Sequence, residues 1–67
     1  MTLILNGEHV EAAARSVADL VEHHLGPDGR TGVAVAVNDA VVPRSEWSRL
    51  VLREGDRVEI VRAVQGG

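Results

Sequence analysis

Cysteine and lysine are absent from this chain, and Trp47 is its only aromatic residue. Without cysteine there are no disulfides, no thiolate nucleophile and no cysteine-based zinc site. The usual reason for expecting so small a domain to be secreted goes with them. All seven basic residues are arginine, and ten acidic residues leave a net charge of -3. Mild acidity argues against a phosphate backbone as partner, so no nucleic-acid role is expected. A protein tag without lysine could not build chains through its own side-chain amines, although a plain preference for arginine explains the same absence. No apolar run is long enough for a bilayer, and no basic-then-apolar leader is visible. The expectation is a soluble cytoplasmic protein without a membrane partner.

What remains is 67 residues, 45% of them hydrophobic and 25% charged. That is ordinary globular composition, far from the low hydrophobicity of a disordered chain. A chain this short buries only roughly 60% of its unfolded surface, so the core is thin. It has room for a few strands and one helix, but hardly for an enclosed substrate cleft.

The pattern along the chain reads as an α+β domain. Thr2 to Leu5 is an apolar strand, Asn6-Gly7 is a hairpin signal, and a second strand runs from about His9 to Ala12. Ser16 caps a helix with Asp19 in its first turn. Val17, Leu20, Val21, His24 and Leu25 recur at helical spacing as one stripe, with His24 expected to be partly buried, and Gly26-Pro27 stops the helix. A polar loop from Pro27 to Gly32 follows. Val33 to Val37 alternates valine and alanine, apolar on both faces, which places it centrally in a sheet. Asn38-Asp39 is a turn. Ala40 to Val42 is a short edge strand closed by Pro43. Arg44 to Arg49 forms a short helical turn capped by Ser45, Glu54 to Asp56 is a turn, and Arg57 to Arg62 is the last strand. The helix stripe should pack on Leu3, Leu5, Val35, Val37, Val58 and Ile60.

Little of this is catalytic. Ser16, Ser45 and Ser48 lack any nucleophile motif. His23 and His24 point to different sides of a helix and His9 lies in another element, so no metal site is expected. Trp47 reads as a cap on the core edge rather than a base-stacking platform, and Asp56 as turn chemistry. The informative feature is the ending Val64-Gln65-Gly66-Gly67. Glycine has no Cβ and threads narrow channels, so such an end suits a thin tail fed into another protein's active site. Its reacting group would be the α-carboxylate, ionised at neutral pH with a pKa of about 3.3–3.7.

Val37-Asn38-Asp39, Val42-Pro43-Arg44 with Trp47 three residues on, Gly55-Asp56-Arg57-Val58-Glu59-Ile60-Val61, and the ending Ala63-Val64-Gln65-Gly66-Gly67 together resemble the thiamine-pathway sulfur carriers, the ThiS family. The resemblance covers the whole chain. It implies a ubiquitin-like β-grasp fold, a small mixed sheet with one main helix on one face, occupying residues 1–63, with 64–67 as a flexible tail. It implies that an ATP-using, E1-like adenylating enzyme joins AMP to the carboxylate of Gly67. A sulfur donor fed by a cysteine desulfurase system would convert the adenylate to a thiocarboxylate, and thiazole synthase would take the sulfur. The chain itself would be a consumable co-substrate rather than an enzyme, with no bound cofactor and ATP used only by its partner. Carriers for molybdopterin or cysteine synthesis, and ubiquitin-like protein modifiers, share the adenylation step and stand as alternatives.

One surface follows from the strand alternation. If Val58 and Ile60 face the helix, then Ile4, Ala34, Ala36, Val61 and Ala63 face away from it. With one helix, that outer sheet face is uncovered, and an open apolar face marks a docking surface.

Overall fold

The two-residue turn Asn6-Gly7 sets the register of everything before the helix. Asn6 has φ +50° and Gly7 φ +84°, the left-handed pair that a tight hairpin needs and that Asn-Gly supplies at least strain. Leu5 is therefore paired with Glu8, and the first two strands are β1 (Thr2–Leu5) and β2 (Glu8–Glu11). The second strand begins one residue earlier than the expected His9 because the turn is no longer than two residues.

The computed structural model describes residues 1–26 and 32–62. The expected polar loop from Pro27 lies mostly outside them, as do Ala63 and the expected tail Val64 to Gly67. Beyond the first hairpin come α1 (Val17–Leu25), β3 (Val33–Val37), β4 (Ala40–Val42), a short 3-10 turn at Arg44–Glu46 and β5 (Arg57–Arg62). The sheet has five strands in the order β2-β1-β5-β3-β4. β1 and β5 run parallel and every other pair is antiparallel. The valine-alanine strand β3 is interior, but the middle position belongs to β5. Being apolar on both faces did not mean being covered on both faces.

The helix starts where its amides find acceptors. The Ser16 Oγ accepts from the Asp19 amide at 3.1 Å. The Val17 and Ala18 amides donate to the Leu50 and Trp47 carbonyls at 3.1 and 3.0 Å. Those donors would otherwise be orphaned at a helix N-terminus, so the segment from Trp47 to Leu52 is stitched beneath it. Val17, Leu20 and Val21 are buried and Leu25 is half-buried. His24 is exposed, contrary to expectation, because in the last turn of α1 it stands at an open cleft beside β2. His23 and His24 rim that cleft, which is floored by Leu5, Val10 and Leu20. Both histidines sit in the helix's last turn, where the helix dipole favours positive charge.

The core under α1 contains all six sheet residues named from the sequence, and in addition Ala14, Val42, Trp47 and Leu52. Leu20 is 4% exposed at its centre. Leu20→Ala removes three side-chain carbons from a thin core and should cost about 2–5 kcal/mol. A urea titration in which the midpoint does not move would show that the stripe is not what holds α1 to the sheet.

Two asparagines finish what the short strands leave open. β1 pairs with β5 only at Ile4 and Leu5. Asn6 extends that ladder with its side chain, since Oδ1 accepts from the Ile60 amide at 2.9 Å and Nδ2 donates to the Ile60 carbonyl at 3.3 Å. Asn38 does similar work at the β3–β4 turn, accepting from the Arg57 amide at 3.0 Å and donating to Asp56 at 3.1 Å. Asp56 in turn accepts from the Arg53 amide at 2.8 Å, which bears out its reading as turn chemistry. The expected Ser45 cap is absent. The 3-10 turn follows Pro43, spans Arg44–Glu46 only and has no side-chain cap.

Candidate functional site

The outer face of the sheet is built by alternation alone. In β5, Val58 and Ile60 are buried while Arg57, Glu59 and Val61 are exposed. Cross-strand pairing extends the face on both sides. Ala34 lies opposite Val61, Ala36 lies opposite Glu59 and also opposite Val41 of β4, and Ile4 of β1 pairs with Arg57. Ile4 and Ala36 are half-buried by their strand neighbours, and Ala34 is exposed. Val61 and Val41 are 60% and 77% exposed, high values for valines in an ordered sheet. Four of the five face residues named from the sequence, Ile4, Ala34, Ala36 and Val61, thus stand together on the side away from α1. The fifth, Ala63, lies outside the described residues. Val41 was missed, although its alternation with buried Val42 could have found it.

Charges frame this face. The Arg57 guanidinium meets the Asp39 carboxylate at 2.9 Å, and Glu59 rises between them and the apolar residues. Asp39, Arg57, Glu59, Ile4, Gly7 and Val58 line a cleft of about 160 Å³. At the far margin Glu11 takes a 2.9 Å ion pair from the N-terminal ammonium and a 3.0 Å hydrogen bond from the Thr2 hydroxyl. The ammonium's hydrogen bond first, then that of Thr2, then the ammonium's charge hold the Glu11 carboxyl below the usual carboxylate range. A carboxyl lowered on folding supports the fold above its ordinary titration range and loses that support as pH falls through the lowered value.

Nothing in the described residues is arranged for catalysis. Ser16 is a helix cap, and Ser45 and Ser48 are exposed. His9 faces outward on β2 beside Ile4, away from His23 and His24 on α1. Among the described residues no three metal-ligating side chains come together, and no helix is long and apolar enough to cross a membrane. Trp47 is 3% exposed and its indole Nε1 donates to the Val42 carbonyl at 2.9 Å. It closes the core beside β4, and its face is not free for stacking on a base.

The β-strand order, the single helix on one face and the open opposite face can be set beside known proteins. The crystal structure of the thiamine biosynthesis protein ThiS from Geobacter metallireducens superposes with a TM-score of 0.80, covering all of both chains at 26% identity. The fold is therefore the ubiquitin-like β-grasp. The sulfur carrier protein ThiS of Escherichia coli strain K12 is 28% identical over the whole of both chains. A thiazole synthase of Paramagnetospirillum magneticum is 36% identical over the whole of this chain, which spans 20% of that protein's length. The ThiS family model matches residues 3–67. On that match, and on a fold shared from end to end with a solved ThiS, the chain belongs to the ThiS family.

Proposed function

We propose that this sulfur carrier of thiamine biosynthesis works through the carboxylate of Gly67. The observation that carries the reading is that the family match runs through residue 67, with the E. coli carrier aligned along its full length. An ionised chain-end carboxylate attacks the α-phosphate of ATP without a general base. Pyrophosphate leaves and a mixed anhydride with AMP remains. Sulfide at the acyl carbon, or a persulfide whose S–S bond a thiol then reduces, displaces AMP and leaves a thiocarboxylate.

In this reading ATP belongs to an E1-like adenylating enzyme, the sulfur comes from a cysteine desulfurase system, and thiazole synthase consumes the thiocarboxylate. The similarity of this whole chain to one fifth of a thiazole synthase supports the last of these partners. Residues 1–63 form the domain a partner grips, and Val64, Gln65, Gly66 and Gly67 form the tail that enters its active site. The chain is a co-substrate and holds no cofactor. The test is intact mass after incubation with ATP, the adenylating enzyme and a sulfur source. The expected change is exchange of one oxygen for one sulfur, with one AMP released per chain; no mass change under those conditions overturns the reading.

Ile4, Ala34, Ala36, Val61 and Ala63, with Val41 added, form the docking face. Exposed apolar residues grouped on one side of a sheet suit association, because covering them contributes about 25 cal/mol per Å² of apolar surface removed from water. Val61→Asp should weaken binding to thiazole synthase and to the adenylating enzyme by about tenfold or more, a desolvation effect of at least about 1.4 kcal/mol. Its side chain is exposed, so the melting temperature should stay near that of the parent. Binding equal to the parent's, measured by calorimetry, would remove Val61 from the interface.

A further inference from the structure

The docking face carries one charge that its own sheet does not answer. Glu59 stands on the middle strand opposite Ala36, with Val61 two residues along the same face and Val41 one strand beyond. It shares a cleft with Asp39 and Arg57, but the Arg57 guanidinium is committed to Asp39 at 2.9 Å. Among the described residues Glu59 enters no ion pair. The cleft therefore holds two carboxylates against one guanidinium, and the uncompensated charge is that of Glu59. In the free protein water solvates it, since Glu59 is exposed.

Docking changes that balance. A partner that covers Ile4, Ala36, Val41 and Val61 also strips water from Glu59, which lies among them. A carboxylate desolvated without a counter-charge opposes association strongly, whereas the same carboxylate met by a cation contributes specificity and steers the encounter. The shape of the cleft adds a second requirement. Ile4 lines the same cleft as the carboxylate and offers it an apolar side chain, which suits a side chain with a methylene stem and a charged end.

Resting on the docking reading above, we propose that the partner protein inserts a lysine or arginine side chain into this cleft, its charged end on Glu59 and its stem along Ile4. Glu59 is then the residue that selects partners whose apolar docking patch carries a basic residue, and it discriminates against purely apolar surfaces and against the outer face of a second copy of this chain, which carries the same carboxylate. The net charge of -3 acts in the same direction, favouring a basic partner surface at long range.

The test uses the full chain and thiazole synthase, with affinities measured by calorimetry at low and high salt for the parent, Glu59→Gln, Glu59→Arg and Val61→Asp. Glu59→Gln keeps the shape and removes the charge. It should bind about tenfold more weakly than the parent, with a flatter salt dependence, and Glu59→Arg about a hundredfold more weakly. All three substitutions, at two exposed positions, should leave the circular-dichroism melt unchanged. If Val61→Asp weakens binding while Glu59→Gln binds as the parent does, the docking face stands and the basic side chain is overturned, Glu59 then serving only to keep the free face soluble. If neither substitution matters, the docking face itself is wrong and this proposal falls with it.

Discussion

Trp47→Ala should destabilise the domain by about 3–5 kcal/mol, the range for emptying a buried aromatic position. Three losses combine. The indole is 3% exposed and belongs to the core cluster with Val42 and Leu52, so its removal opens a cavity that a thin core cannot refill. Its Nε1 is the donor to the Val42 carbonyl, which is then left to find another partner at the inner edge of β4. The third loss is indirect. The Trp47 carbonyl accepts from the Ala18 amide and so fastens the loop to the start of α1, and a collapsing side chain shifts that carbonyl. Against a total stability of about 5–15 kcal/mol for ordinary domains, with small ones at the lower end, this is most of the margin. Trp47→Phe separates the terms, because it keeps most of the volume and loses only the hydrogen bond, at about 1–3 kcal/mol. Urea denaturation followed by far-ultraviolet circular dichroism measures both. A Trp47→Ala cost below about 1 kcal/mol would show that the core closes without the indole.

That anchoring role was only half legible in the sequence. A lone tryptophan three residues after Arg44 reads as a cap on the core edge, and so it is. What could not be read is that the loop around it supplies carbonyls to the helix N-terminus, because a contact between residues 47 and 18 leaves no periodic trace. Local chemistry was legible wherever one residue type dictates a backbone shape. Asn6-Gly7 specified the hairpin, Ser16 the helix start and Gly26 its end, where φ is +85° and the amide bonds back to Glu22. The alternations in β3 and β5 separated the helix-facing residues from the outward ones, and with them most of the outer face proposed for docking.

The failures share a cause. His24 falls on the helical stripe, but a stripe is blind to what covers each of its members, and His24 stands at an open cleft. β3 was read as central and is interior, between β5 and β4, yet its outer face is not covered, because that needs a second layer that a one-helix domain lacks. Ser45 was given a cap that the preceding proline made unnecessary, since the Glu46 amide already donates to the Pro43 carbonyl at 2.8 Å. The paired roles of Asn6 with Ile60 and of Asn38 with Arg57 and Asp56 join elements far apart in the chain. Nothing in the order of residues announces them.

Deleting Gly67 should lower thiocarboxylate formation to about one part in a hundred of the parent rate or less, because a misplacement of about 1 Å at a reacting centre can cost 10²-fold. The last described strand ends at Arg62. Beyond it each extended residue adds about 3.3 Å of reach, so a partner's adenylation site is matched to a fixed number of residues. Removing one withdraws the carboxylate by about that length and presents Gly66 in its place; adding one after Gly67 displaces it in the opposite sense, with a loss of similar size. Gly66→Ala keeps the length and adds one methyl group in the channel, so its effect should be the smaller. All three should leave stability within about 0.5 kcal/mol of the parent, since none alters a residue of the core. Binding through the outer sheet face should persist as well, which separates this prediction from that for Val61→Asp: the shortened chain docks and fails to react, whereas the substituted face reacts poorly because it fails to dock. Intact mass reads the oxygen-for-sulfur exchange, released AMP reads the adenylation step, and calorimetry reads docking. Full activity in the chain lacking Gly67 would mean that the reacting group lies elsewhere and that the paired glycines serve no carrier chemistry.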